Sequence, residues 1–473
     1  MLAASMRLLR LVALLLALLV PAVAVAGSVL PRYQVESVEV RGHRKTVEAV
    51  IRRQLQIRPG DTIAVGDPRV ELARLRVLAL GLFADVQVRL QRGSARGQVV
   101  LLVEVSERGT LTLHQLFLGT SEAVPLWGGL DVAEQNLGGR GIVLGGAFVV
   151  ATAGEVAQSR PQHALRLRLA VPRLAQTPFS LSAVALYNQA SEPYRLTGGD
   201  DDGRPGHFQA VSYRRVGGVL GFGADLGAFV RLGADYRVEL VSADLPESLV
   251  RVRPDGRGER VAIGLRPGES WNAILSLCFE RDTRSDPVLP TDGSRLIVQT
   301  DLAFRPLGSS YEFYKLTVHY QGWFKLPWGH VLSPIVSLGA MFGEAPIFER
   351  FYIGDWNPLL PQRALGLTLS THPSRNLLGL GIAGIRYGDV AARIGWEYVW
   401  PLWRGGRYFY GGQLFAGFGA MALARGDDLL LRDRRDLAAA VPVDLWFDSG
   451  LRLDTYIGIF NFSIANVLGR APL

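Results

Sequence analysis

Residues 313–324, FYKLTVHYQGWF, put Tyr314, Leu316, Val318 and Tyr320 on one parity and Lys315, Thr317, His319 and Gln321 on the other. Strict alternation with a period of two makes this a strand with one apolar and one polar face. The apolar face carries a tyrosine at each end. That pattern suits a strand crossing an outer membrane, with rings at the interfaces and polar groups toward a wet lumen. On its N-terminal side runs DTRSDPVLPTDGSRL (282–296), and on its C-terminal side ERFYIGDWNPLLPQRALGL (349–367). Residues 343–380 form a Gly- and Pro-punctuated connection far longer than a hairpin loop. Connections of that length are usually functional or disordered, so this one is the candidate functional centre.

The alternation recurs from residue 110 onward. Leu165, Leu167 and Leu169 interleave with Arg166 and Arg168, and Ile394, Trp396, Tyr398 and Trp400 interleave with Arg393, Gly395 and Glu397. Arginines opposite leucines cannot face hydrocarbon, so they face a lumen or a partner. Short connections (136–139, 326–329, 454–458) alternate with long polar ones (191–207, 243–268, 343–380, 423–444), the arrangement of an outer-membrane barrel with its long loops outside the cell. A soluble β-sandwich would not expose so regular an aromatic parity.

Residues 1–26 carry Arg7 and Arg10 ahead of an apolar run from Leu11 to Val20 and end in Ala24-Val25-Ala26, the pattern of a secretory signal peptide. The run is short for a spanning helix. Cys278 is the single cysteine, which excludes an internal disulfide framework, and it reads as a small hydrophobe facing lipid or a packed face. The formal net charge is +8, yet lysine occurs only at 45, 315 and 325. So strong an arginine bias reads as compositional, with attraction to lipid-headgroup or lipopolysaccharide phosphates as its functional counterpart. No aromatic-basic patch points to nucleic acid.

Residues 30–107 read as a small α+β unit in the order β-α-α-β-β. Val38 and Val40 lie on a first strand. Thr46 is placed to cap a helix bearing Val47, Val50, Ile51 and Leu55, and 58–61 is a turn. Asp67-Pro68 starts a second helix, whose expected buried face is Leu72, Leu75, Ala79 and Leu82. Val86, Val88 and Leu90, then Leu101, Val103 and Val105, mark two strands.

This unit, through VESVEVRGHRKT, RPGD and LGLFADVQVRL, resembles a POTRA domain. GGLDVAEQNLGGRG, ERDTRSDPVLPTDGSRL, YEFYKLTVHYQGWFKLP, PIFERFYIGDW, WEYVWPLW and SGLRLDTYIGIFNFSI resemble successive segments of the Omp85 superfamily barrel, the bacterial surface antigen domain. The resemblance implies a signal peptide at 1–26, a POTRA domain at 30–107, and at 110–473 an antiparallel transmembrane β-barrel of about sixteen strands. Counting the alternating segments gives about fifteen, with the last near 457–467. The implied role is insertion or translocation of other proteins at the outer membrane. Partners would be unfolded outer-membrane or secreted clients, lipid or lipopolysaccharide, and periplasmic chaperones or accessory proteins.

In that family the long loop enters the lumen and its arginine meets acids on the wall. Here Arg350 and Gly354 lie in the matching opening, Arg363 is the nearest equivalent of the loop arginine, and Glu397 is the remaining inward acid. The expected contact is Arg363 with Glu397. Asp282, Arg284, Pro290, Gly293 and Lys315 match the barrel's motif positions, whereas Phe415-Ala416-Gly417-Phe418-Gly419 lacks the family's aspartate. Asp200-Asp201-Asp202-Gly203 lacks calcium-loop spacing, and 128–146 lacks a phosphate loop's strand-to-helix context. His319 reads as a lumen side chain, and no G-x-S-x-G elbow occurs. The chain is expected to be no enzyme and to need no metal or cofactor. The rival readings are a two-partner-type secretion transporter and a porin or structural barrel.

Overall fold

The computed structural model describes residues 31–174, 177–199, 202–227, 229–357, 363–373, 378, 386–406, 408–426 and 443–463. The expected signal peptide, Asp200, Asp201 and the final segment from 464 lie outside these residues.

The N-terminal unit contains β1 (Arg32–Arg41), α1 (Glu48–Leu55), β2 (Thr62–Ala64), α2 (Pro68–Leu78), β3 (Phe83–Arg92) and β4 (Gln98–Glu107). Its sheet order is β2-β1-β4-β3, with β1 and β4 parallel. Val35, Ile51, Leu55, Ala73, Val77, Leu101 and Val103 are buried between the sheet and the helices. Asp67 caps α2 as expected, its carboxylate accepting from Arg69 N at 2.9 Å.

Three expectations change here. The short β2 follows the 58–61 turn, so the order is β-α-β-α-β-β. Ala73 and Val77 form the buried stripe of α2, while Ala79 is exposed. Thr46 does not cap α1, because Val47 occupies the N-cap with extended backbone and no side-chain bond. Thr46 instead accepts from Asn136 Nδ2 at 3.0 Å, across the junction with the barrel.

The barrel follows with β5 (Leu111–Gly119), β6 (Trp127–Leu137), β7 (Ile142–Ala151), β8 (Gln162–Val171), β9 (Phe179–Arg195), β10 (Phe208–Asp225) and β11 (Val230–Asp244). A loop hairpin, β12 (Val250–Val252) and β13 (Gly258–Arg260), leads into β14 (Gly268–Asp282), β15 (Gly293–Ala303), β16 (Glu312–Lys325) and β17 (Val331–Glu344). Then come β18 (Phe351–Tyr352) and β19 (Tyr387–Gly388) within the long loop, and β20 (Val390–Arg404), β21 (Phe409–Ala424), β22 (Val443–Thr455) and β23 (Gly458–Ser463). Without the two small hairpins these make one antiparallel sheet of fifteen strands among the described residues.

Backbone amides in hydrocarbon must all find partners within the protein, and a sheet curled almost onto itself meets that demand. The two faces separate by parity. Leu165, Leu167, Leu220, Ile394 and Trp396 are exposed on the outside. Inside, Arg168 grips Asp131 with two bonds of 2.9 and 2.5 Å. His319 meets Ser337 at 2.7 Å, and Gln321 Nε2 donates to Ser333 at 2.9 Å. Cys278 lies on the inner parity of β14 with Asn272 and Glu280, so it faces the lumen, not lipid. Its register partner on β11 is Gly233. The connections at one end are short, from 456–457 up to 283–292, and at the other they extend to 345–389. The N-terminal unit sits at the short-turn end.

That unit is clamped to the barrel at two places. At the first, Val47 N donates to Gly139 O at 2.8 Å beside the Thr46–Asn136 bond. Glu107, at the end of β4, accepts from Thr46 N at 2.7 Å and from Lys45 N at 3.0 Å. Burial alone would raise the Glu107 pKa, but these N–H donors outweigh it and hold the carboxyl below its ordinary range. Its contribution is therefore present above the unfolded carboxylate value and is lost as pH falls through the lower folded value. At the second place, Arg108 Nη2 donates to Asp454 Oδ1 at 2.6 Å, both side chains being nearly buried.

Gly139 has φ +74°, and a Cβ there would lie 2.2 Å from Lys45 O. Gly139→Ala should therefore loosen the first clamp by about 1–3 kcal/mol. Trypsin should then cut the folded protein faster at Arg44 or Lys45, and an unchanged digestion pattern would refute this role.

Candidate functional site

The connection between β17 and β20 enters the barrel and lies against its inner wall. Ile347, Phe348, Glu349, Phe351, Tyr352 and Ile353 are all buried. Apolar side chains flank the one buried acid, so the segment packs on the wall through its rings and hydrogen-bonds through Glu349. Its centre is a carboxylate. Glu349 accepts from Arg237 Nη2 at 2.5 Å and from Asn272 Nδ2 at 3.1 Å.

Glu239, 0% exposed, joins this group. It takes two bonds from Arg215, at 2.7 and 2.9 Å, and lies 3.6 Å from Arg237. Two guanidiniums thus face two carboxylates, one of them from the loop, so no charge in the set is left uncompensated. The Arg215 guanidinium also lies over the Phe348 ring, 4.0 Å from its centroid. Lys315, the inward lysine of β16, donates to the Glu349 carbonyl at 2.7 Å and stands 4.8 Å from the Phe351 ring centre. A second anchor lies deeper in the loop, where Tyr387 Oη donates to buried Glu192 at 2.5 Å and Thr368 Oγ1 is 3.0 Å from the same phenol. Asn188 Nδ2 holds the Leu365 carbonyl at 3.0 Å.

The expected Arg363–Glu397 contact does not form. Arg363 pairs with Asp355 of its own loop at 2.6 Å and donates to Phe348 O at 3.1 Å. Glu397 takes two bonds from Arg452 on β22, at 3.0 and 2.8 Å. The physical reason is competition: each group has a nearer opposite charge, one two strands along the wall and one eight residues along the loop. The polarity of the strap is accordingly reversed, with the loop supplying the acid and the wall the arginines. Arg350 lies 3.8 Å from Asp389 at the loop's far end, and Gly354 is buried in the turn Ile353–Asp355.

The remaining motif residues shape the connection 283–292. Arg284 chelates Asp282, with a closest contact of 2.6 Å, and donates to Pro287 O at 2.8 Å. Pro290 is buried. Gly293 has φ +96°, and a Cβ there would lie 2.2 Å from Thr283 O, so the turn admits only glycine. Arg215, Arg237, Glu239 and Glu192 were not foreseen as site residues. Their inward parity on strands was legible, but nothing local in the sequence told which wall charges the loop would meet.

Residues 136–465 match the Omp85 superfamily domain, most of this chain. The chain belongs to the Omp85 superfamily. It is a β-barrel protein of the outer membrane. The outer membrane protein assembly factor BamA of Nitratidesulfovibrio vulgaris is 23% identical over 372 residues, which are 77% of this chain and 41% of that protein. This chain thus spans less than half of that relative's length. CdiB from Escherichia coli has a similar fold, with a TM-score of 0.56 at 9% identity over 89% of this chain and 70% of that one. BamA from Haemophilus ducreyi lacking POTRA domains 1–3 aligns at 15% identity, with a TM-score of 0.47, over 91% of this chain and 80% of that one.

Removing one partner from a buried ion network leaves uncompensated charge and costs about 3–5 kcal/mol, whereas a partly exposed pair contributes at most about 1 kcal/mol. Glu349→Ala should therefore lower the temperature at which the folded barrel loses its fast gel mobility far more than Asp355→Ala, which breaks the loop's own pair with Arg363. Equal shifts would contradict this assignment of the strap.

Proposed function

We propose that this Omp85 protein is an outer-membrane assembly factor. It takes unfolded outer-membrane or secreted clients by strand addition and eases their insertion, without cofactor or chemical catalysis. The observation that carries this reading is the seam. Among the described residues, fifteen successive antiparallel strands leave β5 and β23 running in the same direction, so these two neighbours cannot continue the antiparallel ladder. At their turn ends they meet through Leu113 N, which donates to Ile457 O at 2.7 Å. An antiparallel strand lying between them could pair with both edges, and exposed strand edges recruit strands by β-augmentation.

The relative named as an assembly factor supports the same reading. The N-terminal unit is proposed to be a single POTRA domain in the periplasm. Its outer edge is β3, ten residues long and carrying Asp85, Arg89 and Arg92, and a client strand could pair there in passing. Periplasmic chaperones or accessory proteins would deliver clients to that edge.

A photo-crosslinking residue at Leu118, exposed on β5, should capture client barrel strands, while the same probe at Leu165, exposed on β8, should not. Depletion of the protein should lower many outer-membrane barrel proteins together. Loss of one secreted partner alone would favour the two-partner-type transporter, and changed solute uptake alone would favour a porin. Either result would overturn the assembly reading.

A further inference from the structure

An open cleft of about 1120 Å³ lies where α1 meets the short turns β6–β7 and β8–β9. Five arginines line it, Arg52, Arg53, Arg58, Arg140 and Arg173, and no Asp or Glu is among its described lining residues. Two of them have carboxylate partners behind the lining, Arg52 with Glu48 at 2.5 Å and Arg173 with Asp225 at 3.5 Å. The cleft is therefore strongly positive.

Its centre holds two like charges together. Arg173 Nη1 donates to Arg53 O at 2.8 Å, while Arg53 reaches the carbonyls of Arg173 and Arg140 at 3.5 Å each. Arg53 Nε is buried with no acceptor among the described residues. Burial first, and the Arg173 charge second, lower the pKa of the Arg53 guanidinium. An anion at this point would relieve both effects.

What lies beside the cleft names the anion. Ile142, Val171 and Pro178 line its barrel side, on or next to the outward-facing parity. The next outward residues along those strands are exposed apolar side chains, Leu144, Leu169, Phe179 and Leu181. The cleft therefore opens at the foot of the apolar belt, at headgroup depth. A shallow groove of about 560 Å³ continues from Leu144 and Leu169 across Ala183, Ala185 and Gly218 to Tyr236. Small residues make the groove, and its exposed lining is almost wholly apolar.

A positive cleft one outward position away from an apolar groove on the membrane face matches an amphiphile with an anionic head and an acyl tail. We propose that this site binds an anionic glycerophospholipid of the leaflet next to the N-terminal unit. Its phosphate sits among Arg53, Arg58, Arg140 and Arg173, and one acyl chain lies in the Ala183–Gly218 groove. Arginine suits phosphate because its planar fork can donate two bonds to the oxygens. The bound lipid would bridge α1 and the barrel, holding the N-terminal unit at a set height against the membrane. This site is independent of the seam, and its failure would leave the assembly reading untouched.

The test uses the full-length protein in detergent, followed by native mass spectrometry with added phosphatidylglycerol, diacylglycerol, glycerol 3-phosphate or an acidic peptide. The wild type should retain phosphatidylglycerol preferentially, and less of it as salt rises. The double variant Arg58→Ala/Arg140→Ala removes two exposed cations and should weaken retention roughly tenfold or more. Ala185→Leu fills the groove and should weaken it with every charge in place. Two results would overturn the proposal: equal retention of phosphatidylglycerol and diacylglycerol, or retention unaffected by the variants. Displacement by glycerol 3-phosphate would instead make this a soluble phosphate-ester site, and displacement by the acidic peptide would make it a protein-docking site. Should the double variant not fold, salt-insensitive retention by the wild type would be enough to reject the idea.

Discussion

Every main-chain N–H and C=O that lies in hydrocarbon must be bonded within the protein, because lipid offers no substitute for water. Among the described residues, fifteen strands in one sheet answer that demand. The curvature that nearly closes the sheet then divides side chains into an oily outside and a wet inside. From this division follow the leucines outside β8 and the Arg168–Asp131 pair behind them. Where an inner-wall charge is buried away from water, a partner offsets the lost hydration, and Glu397–Arg452 and Glu239–Arg215 are such pairs.

The long loop exploits the same rule. A segment entering the lumen must replace water at buried charges, and Glu349 does so by completing the Arg215–Glu239–Arg237 set. The strap is therefore strong where it is most enclosed. It is weaker at Arg363–Asp355, where solvent screens the pair. With Tyr387 on Glu192 of β9 as a second anchor, the loop is tied to the neighbouring strands β9, β10, β11 and β14.

Strand pairing is unevenly spread around the sheet. Walls far from the seam have full antiparallel ladders. At the seam two like-directed strands touch near their turn ends, so opening there breaks few bonds. The N-terminal unit is clamped close by, through Arg108–Asp454 on one side and Thr46–Asn136 on the other. On the proposed function, a strand captured by the unit's edge would be presented near the place where the sheet could accept it. The arginine cleft lies at the Thr46–Asn136 clamp, which would make membrane charge part of how the unit is held.

Much of this was legible in the sequence. Alternation in FYKLTVHYQGWF gave a membrane strand and its two faces, since strand parity is a local property of the backbone. Asp67-Pro68 announced a helix start for the same reason, because capping acts within one turn. Thr46 looked like a cap by that logic, yet a partner ninety residues away took its hydroxyl. The outward or inward facing of Cys278 depended on register, and a shift by one residue would have reversed it. The Arg237–Glu349 contact, separated by 112 residues, could not be seen at all. Local pattern settled most of the faces toward oil and water, Cys278 excepted; only the closed fold decided which buried charge meets which, because that depends on distances between strands that no stretch of sequence spans.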